Sequence, residues 1–156
     1  KIQNSSNLGE HKNFHLIDLS EESFECAKAI EALQIPCTAY VCVMTHDHAL
    51  DRALIEELGD RPVAYLGMIG SDRKVAISNK YFLENNLLTK EEIKRIHQPI
   101  GLNIGAETPE EIAISVLAQL IDIRASFRKQ QKHSGEMATK ITNKMLGSVS
   151  ISRNYE

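Results

Sequence analysis

The chain has 156 residues, 42% of them hydrophobic, and a net charge of −3 from 18 basic and 21 acidic side chains. This length fits one ordinary domain, and the hydrophobic share excludes a wholly disordered chain. The charge excludes binding to nucleic acid through bulk positive potential. No apolar run approaches the ~18 residues that a membrane-spanning helix needs, so we expect neither a nucleic-acid nor a membrane partner.

The three cysteines (Cys26, Cys37 and Cys42) are odd in number and lack the spacing of a zinc site. A chain of this length does not need disulfide crosslinks for stability, so the cysteine usage favours a reducing compartment. We therefore expect a cytoplasmic location. Cys42 lies inside an apolar run, which predicts a buried thiol.

Polarity and charge divide the chain into three parts. Residues 1–13 are polar and are predicted to form a flexible N-terminal segment. Residues 14–131 carry the apolar patterns and form the predicted domain. Residues 132–156 are predicted to be a polar basic tail, because residues 124–156 have a net charge of +5 whereas the preceding residues have −8.

Apolar runs alternate with helical periodicity in the first half of the predicted domain. Short β-prone runs predict strands, and apolar residues spaced by three and four positions predict a helix after each strand. The predicted elements are a strand at 14–18, a helix at 20–33, a strand at 38–44, a helix at 49–58, a strand at 63–69 and a helix at 72–85. Alternation at steps of about 25 residues is typical of βαβ units, so we predict an α/β fold with a parallel sheet covered on both faces by helices.

A short charged helix is predicted after this alternation. Thr89, followed three residues later by Glu92, forms the pattern of a capping box and marks its start. Residues 96–105 contain two glycines and one proline, and we predict that they are irregular.

The last predicted helix has the clearest start in the chain. Thr108 is the expected cap, Pro109 occupies the first helical position and Glu111 completes a capping box. We expect this helix to continue to about residue 131. Its wide apolar face predicts that these residues are largely buried: Ile112, Ala113, Val116, Leu117, Leu120 and Ile121.

The strongest candidate binding loop follows the third strand of the alternation. In open parallel sheets, ligands bind beyond the carboxyl ends of the strands. There, Gly67 and Gly70 permit a sharp turn, Ser71 offers a hydroxyl at a helix start, and Arg73 and Lys74 add two cations. This combination suits a phosphate or pyrophosphate group. The alternative is a tight turn in which Ser71 only caps the helix.

A second polar loop, Thr45-His46-Asp47-His48, follows the preceding strand. Two imidazoles with the carboxylates of Asp47 and Asp51 are compatible with zinc or iron. No further His or Cys completes a set of four ligands, so we favour a helix cap, formed by Thr45 or Asp47, with two histidines lining a pocket, and predict no metal site.

Glu107, Glu110 and Glu111 cluster at the start of the last helix. Carboxylates in such a position act either as general acids and bases or as helix caps that interact with the helix dipole. We favour capping. The preceding loop, Gly101 to Gly105, is predicted either to approach a ligand with its backbone or to form a plain turn.

Three blocks within residues 38–125 resemble a known family. They are T-H-D-H after one predicted strand, G-S-D-R-K after the next, and G-A-E-T-P-E-E-I-A at the start of the last helix. In this order they resemble the C-terminal Rossmann-like domain of the xanthine dehydrogenase accessory factor family (XdhC/CoxI).

The resemblance implies a Rossmann-like domain that binds molybdenum cofactor and delivers it to a xanthine-dehydrogenase-type apoenzyme, as a chaperone more than as a turnover enzyme. It implies no agreed catalytic residue. The pocket-lining positions that it implies are Thr45, His46, Asp47 and His48 from the first block, Gly70, Ser71, Arg73 and Lys74 from the second, and Gly101, Gly105, Glu107 and Thr108 from the third.

One part of the family pattern is missing. The Gly-x-Gly-His loop that opens the family's domain has no match in residues 1–40, so we expect a sheet that lacks the first strands. Such a sheet has an open edge, and open edges are commonly covered by another chain, so we expect a homodimer. The alternative function is a nucleotide-binding or NAD(P)-binding oxidoreductase-like domain, against which the missing loop argues.

Overall fold

The computed structural model of the protein describes the backbone of residues 2–3, 16–17, 30 and 33–146. The chain divides into two compact units, residues 1–103 and residues 104–156. The helix predicted at 20–33 lies almost entirely outside the described residues, apart from Ile30, which is helical and buried, and Leu33, which lies in a turn.

The first unit contains a parallel sheet of three strands, β3 (Tyr40–Val43), β4 (Tyr65–Met68) and β5 (Ile96–His97). The strands lie in the order β3-β4-β5, and the register pairs Val43 with Met68 and Gly67 with His97. The predicted parallel α/β fold is therefore confirmed, as a partial Rossmann-like domain.

Helices connect these strands at the positions where the sequence places caps and stops. Helix α1 covers His48–Leu58 and ends at Gly59, α2 covers Asp72–Glu84, and α3 covers Lys90–Arg95. The capping box of α3 is formed as predicted, because Thr89 and Glu92 each accept from the other's backbone N–H.

One face of the sheet carries the core. Alternation along each strand sends the side chains of Val43, Leu66, Met68 and Ile96 to the same face, and all four are buried. The helices and the loop after α2 cover them with a second set of buried apolar side chains: Leu50, Leu54, Ile55, Leu58, Val75, Phe82 and Leu88.

The opposite face of the sheet carries aromatic rings. Tyr65 stacks on Tyr40 of β3 and on His97 of β5, with ring centroids 6.1 and 4.6 Å apart. Tyr65 is buried, whereas Tyr40 and Cys42 are exposed. The prediction that Cys42 is buried is therefore wrong, because the apolar run of β3 is covered by the core on one face only.

Two short strands precede the parallel sheet. Strand β1 (Ile2–Gln3) pairs antiparallel with β2 (Leu16–Ile17). The strand predicted at 14–18 is thus present at its centre, but its described partner is β1 and not the parallel sheet. The remaining residues of the segment predicted to be flexible, 1–13, lie outside the described residues.

The second unit is built on one long helix, α4 (Pro109–Leu146). It continues well beyond residue 131, where we expected it to end. Its predicted burial is also only partly correct. Val116 is buried, but Leu117 and Ile121 are 60% and 55% exposed. Within the residues described, none of the helices has the length and apolar character required to cross a membrane.

Candidate functional site

Three loops of the first unit leave the sheet at the same edge. The loops after β3 and β4 are tied together by a hydrogen bond from Ile69 N–H to the carbonyl of Val43, at 3.0 Å. The loop after β5 is tied to β4 by a bond from Ile100 N–H to the carbonyl of Met68, at 2.9 Å. This edge is the carboxyl end of all three parallel strands, where ligands of such sheets bind.

Asp47, one of the two caps that the sequence allows, is the residue that caps helix α1. Its side chain accepts a 2.8 Å hydrogen bond from Ala49 N–H. Its own N–H donates to the hydroxyl of Thr45, at 3.2 Å. The cap therefore fixes the point at which the chain leaves β3 and enters α1.

Asp51 holds the same turn from inside the protein. It is only 1% exposed, and its Oδ1 accepts hydrogen bonds from the N–H of Thr45 at 3.0 Å and from the hydroxyl of Thr45 at 2.7 Å. A buried carboxylate needs such donors, since burying an unpaired charge is costly. Asp51 therefore joins the first turn of α1 to the end of β3.

The two histidines of this loop have different surroundings. His46 is exposed. The Nδ1 of His48 lies 3.4 Å from Oδ2 of Asp51, and the His48 side chain is 43% exposed. Among the described residues, no group of three or more His, Cys, Asp or Glu side chains is arranged to hold a metal ion.

Gly67 lies inside β4, before the loop proper, and is buried. A Cβ at this position would lie 2.6 Å from the hydroxyl oxygen of Tyr65 and 2.7 Å from the side chain of Ile100. A larger residue at position 67 would therefore force Tyr65 or Ile100 to shift, because their side chains already occupy the space above the glycine.

Polar side chains in the turn after β4 make neither a capping bond nor an ion pair with any residue that the structure describes. Ser71 occupies the cap position of α2, but its side chain makes no capping hydrogen bond. Arg73 and Lys74 are exposed in the first turn of the helix. Within the described part of the chain, neither cation forms an ion pair with an acid. Gly70 sits among ordinary contacts at 3.7 Å or more and permits a side chain.

The predicted residues of the third block divide between the two units. Gly101 belongs to the first unit, directly after Ile100, and has a φ of 99° that favours glycine. Gly105, Glu107 and Thr108 belong to the second unit.

The start of α4 is a satisfied helix cap. The Glu111 carboxylate accepts from the N–H groups of Glu107 and Thr108, at 2.8 and 3.0 Å, and Thr108 Oγ1 accepts from Glu111 N–H at 3.3 Å. These hydrogen bonds lower the pKa of Glu111. The capping interpretation of the acidic cluster is therefore confirmed for Glu111.

Sequence reasoning missed two features of this edge. Asp51 is predicted only as a possible metal ligand and not as a buried hydrogen-bond acceptor. It shares the apolar stripe of Leu54 and Leu58 on α1, and a polar residue on such a stripe indicates a buried group with partners. Residues 96–105 were expected to be irregular, but Ile96–His97 form β5. Burial lowers the pKa of His97 on this strand.

Comparison with known proteins identifies relatives of the chain. The uncharacterized protein YqeB of Escherichia coli K12 is 42% identical over 106 residues, which cover 68% of this chain and 19% of that protein. A protein of Bacillus subtilis 168, named as a probable subunit of xanthine dehydrogenase, is 35% identical over 82 residues, which cover 53% of this chain and 22% of that protein. The chain thus spans about a fifth of the length of these curated relatives.

A solved structure and a family pattern agree with these relatives. The crystal structure of a xanthine dehydrogenase from Bacillus halodurans is 31% identical, with a TM-score of 0.53, and the similarity covers 65% of this chain and 28% of that one. Residues 6–120 match the family described as the XdhC Rossmann domain. This match begins well before the first of the three motif blocks. Since this match covers more than half of the chain, the chain belongs to the XdhC Rossmann-domain family.

Proposed function

We propose that this chain binds molybdenum cofactor at the carboxyl edge of its sheet and helps to supply it, in the cytoplasm, to a xanthine-dehydrogenase-type enzyme. The observation that carries the proposal is the unsatisfied turn at the start of α2, beside the tightly held turn at the start of α1. The names of two relatives, a xanthine dehydrogenase and a probable subunit of one, support the choice of enzyme.

The start of α2 has the chemistry of a phosphate site. Its first N–H groups do not donate to the hydroxyl of Ser71, and the helix dipole adds partial positive charge there. Arg73 and Lys74 contribute two formal charges without acidic partners among the described residues. The pterin part of molybdenum cofactor carries a phosphate, so the residues present fit that end of the cofactor.

The neighbouring turn would contact the rest of the cofactor. His46 and His48 follow β3, which pairs directly with β4. Gly101 follows Ile100, whose N–H is hydrogen-bonded to Met68 of β4. Imidazoles and backbone groups supply hydrogen bonds and ring contacts that suit a polar heterocycle. The proposed binding and transfer require no covalent nucleophile.

Titration calorimetry with molybdopterin, AMP and NAD⁺ tests the proposal. We expect molybdopterin to bind most tightly, and the variant Arg73→Ala/Lys74→Ala to weaken binding about ten- to hundredfold, the range for lost charge-assisted hydrogen bonds. Lys80→Ala is the matched control, because Lys80 pairs with Glu84 toward the other end of the same helix. Its affinity should equal that of the wild type.

Three outcomes contradict the proposal in different ways. Equal affinity of Arg73→Ala/Lys74→Ala and wild type for every phosphate ligand means that the anion site lies elsewhere. Preference for NAD⁺ supports the oxidoreductase-like alternative. Equal weakening by Lys80→Ala means that net charge, and not the start of α2, attracts the ligand.

We also propose a homodimer. Among the described strands, β3 and β5 each pair only with β4, so both edges of the parallel sheet lack a described neighbour. Exposed apolar residues also line one stripe of α4: Ile114, Leu117 and Ile121. Native mass spectrometry of the purified chain reports the number of chains in the assembly and the retained ligand together. A purely monomeric spectrum at micromolar concentration contradicts the dimer.

A further inference from the structure

We propose that Asp51 is a positioning residue that holds the His48 imidazole with a proton on Nδ1. In this state, Nε2 of His48 is an unprotonated acceptor for an N–H or O–H group of a ligand. The choice of ligand rests on the proposed function, since a pterin ring presents such N–H groups. The state of the imidazole does not depend on that choice.

The two carboxylate oxygens of Asp51 have separate roles. Oδ1 is occupied by two donors from Thr45, the backbone N–H and the hydroxyl. Oδ2 is buried and has no hydrogen-bond partner within the described structure. The nearby group that can compensate it is Nδ1 of His48, 3.4 Å away.

The identity of the proton follows from the chemistry of the pair. A carboxylate oxygen only accepts hydrogen bonds, so an imidazole nitrogen that faces it is stabilised as N–H. A lone pair at Nδ1 would instead lie against a buried oxygen that has no other donor among the described residues, which is unfavourable. The neutral imidazole has one proton, so placing it on Nδ1 leaves Nε2 bare.

Accessibility assigns the ligand contact to His48 and not to Asp51. Oδ2 of Asp51 has almost no exposed surface, so a ligand does not reach it directly. The His48 side chain is 43% exposed, and Nε2 lies on the ring edge opposite the nitrogen that faces Asp51. The carboxylate therefore acts through the imidazole, as in other sites where a second group fixes the tautomer of a histidine.

Long-range ¹⁵N–¹H correlation spectra of histidine-labelled protein test this assignment, without ligand and at alkaline pH, where imidazoles are neutral. His48→Gln identifies the signals of His48. We expect the pattern of an Nδ1–H tautomer in the wild type, whereas free histidine favours the Nε2–H tautomer.

The variant Asp51→Asn sharpens the test. Its amide oxygen can keep both hydrogen bonds from Thr45, while its NH₂ group turns a donor toward His48, so the dominant tautomer should reverse to Nε2–H. Asp47→Asn is the control: it removes the same charge four residues away and keeps a good N-cap, so the His48 pattern should not change.

The wild-type spectrum alone is decisive if Asp51→Asn does not fold. An Nε2–H pattern in the wild type, or the same pattern in wild type and Asp51→Asn, overturns the positioning role. Neither result bears on whether molybdopterin binds near Arg73, so failure of this assignment and failure of the proposed function are distinguishable.

Discussion

The turns after β3 and β4 have the same construction, a parallel strand followed by a helix, but they satisfy their polar groups differently. After β3, Asp47 caps the helix and Asp51 binds Thr45 from inside. After β4, the side chain of Ser71 makes no capping hydrogen bond, and the side chains of Arg73 and Lys74 are exposed. The first turn is fixed by the protein itself, whereas the second leaves donors that a ligand can use.

This difference indicates that the two turns have separate roles at the carboxyl ends of the strands. A turn whose hydrogen bonds are satisfied internally has a defined shape before any ligand arrives, which lowers the entropic cost of binding. A turn with free donors supplies the attraction. Variants that remove internal contacts should therefore reduce stability, and variants of the free donors should reduce affinity with little effect on stability.

The largest expected loss of stability comes from a substitution in β4, the strand that precedes the turn at Ser71. Gly67→Ala places a Cβ 2.6 Å from the Tyr65 hydroxyl oxygen and 2.7 Å from Ile100, so neighbouring side chains must move. Overpacking of this kind costs about 1–3 kcal/mol in the free energy of unfolding, which urea titration measures.

Gly70→Ala is the matched control for Gly67→Ala. Its new Cβ would meet Lys74 and Val75 at 3.7 and 3.8 Å, ordinary contact distances, so we expect a change within about 0.5 kcal/mol. If the two variants lower the free energy of unfolding equally, the close contacts of a Cβ at residue 67 do not determine the cost.

A smaller effect separates the two helix caps. Asp47→Ala removes a formed cap and should lower the free energy of unfolding by about 1 kcal/mol. Ser71→Ala removes a side chain that makes no capping bond, so its effect should stay within about 0.5 kcal/mol. Denaturant titrations of the two variants in parallel measure this difference, and the comparison between the turns fails if Ser71→Ala costs as much as Asp47→Ala.

The smallest effect is a pH dependence carried by His97 on β5, the strand that pairs with β4. Burial lowers the pKa of His97 below its usual 6.5. The unfolded chain then binds a proton at higher pH than the folded chain, so stability falls as the pH drops from about 6.5 toward the lowered pKa.

His97→Phe isolates that contribution, because phenylalanine can keep the stacking on Tyr65 without a titratable group. The difference in unfolding free energy between variant and wild type should be constant above pH 6.5 and should shift in favour of the variant below it. Parallel curves through this range would show that His97 does not contribute.

Much of the first unit could be predicted from local patterns. Caps and stops at Thr89 and Gly59 act within one helical turn, so the sequence around them is sufficient. Strand β5 could not be predicted in this way, because two residues carry no periodicity and Ile96–His97 become a strand only by pairing with β4. The exposure of Cys42 likewise depends on which face of the sheet the core covers.

The candidate site shows the same boundary between local and tertiary information. The cap at Thr108 follows from residue type and spacing, whereas the sequence leaves Thr45 and Asp47 as alternative caps for α1 and the structure selects Asp47. The role of Asp51 depends on hydrogen bonds from Thr45, which lies six residues earlier in the chain, just after β3. Spacing alone does not show that these two residues meet. The exposure of Leu117 and Ile121 was missed because an apolar face indicates a tendency to be covered and does not identify the covering surface.

Gly105 illustrates a different kind of restriction from that at Gly67. Its φ is 72°, yet nothing lies within 4 Å of where a Cβ would stand. Volume is therefore irrelevant there, and only the handedness of the backbone matters. Among replacements at residue 105, asparagine should lower the free energy of unfolding less than the smaller alanine does. The ranking of the variants should therefore follow their tolerance of left-handed torsion angles and not their size.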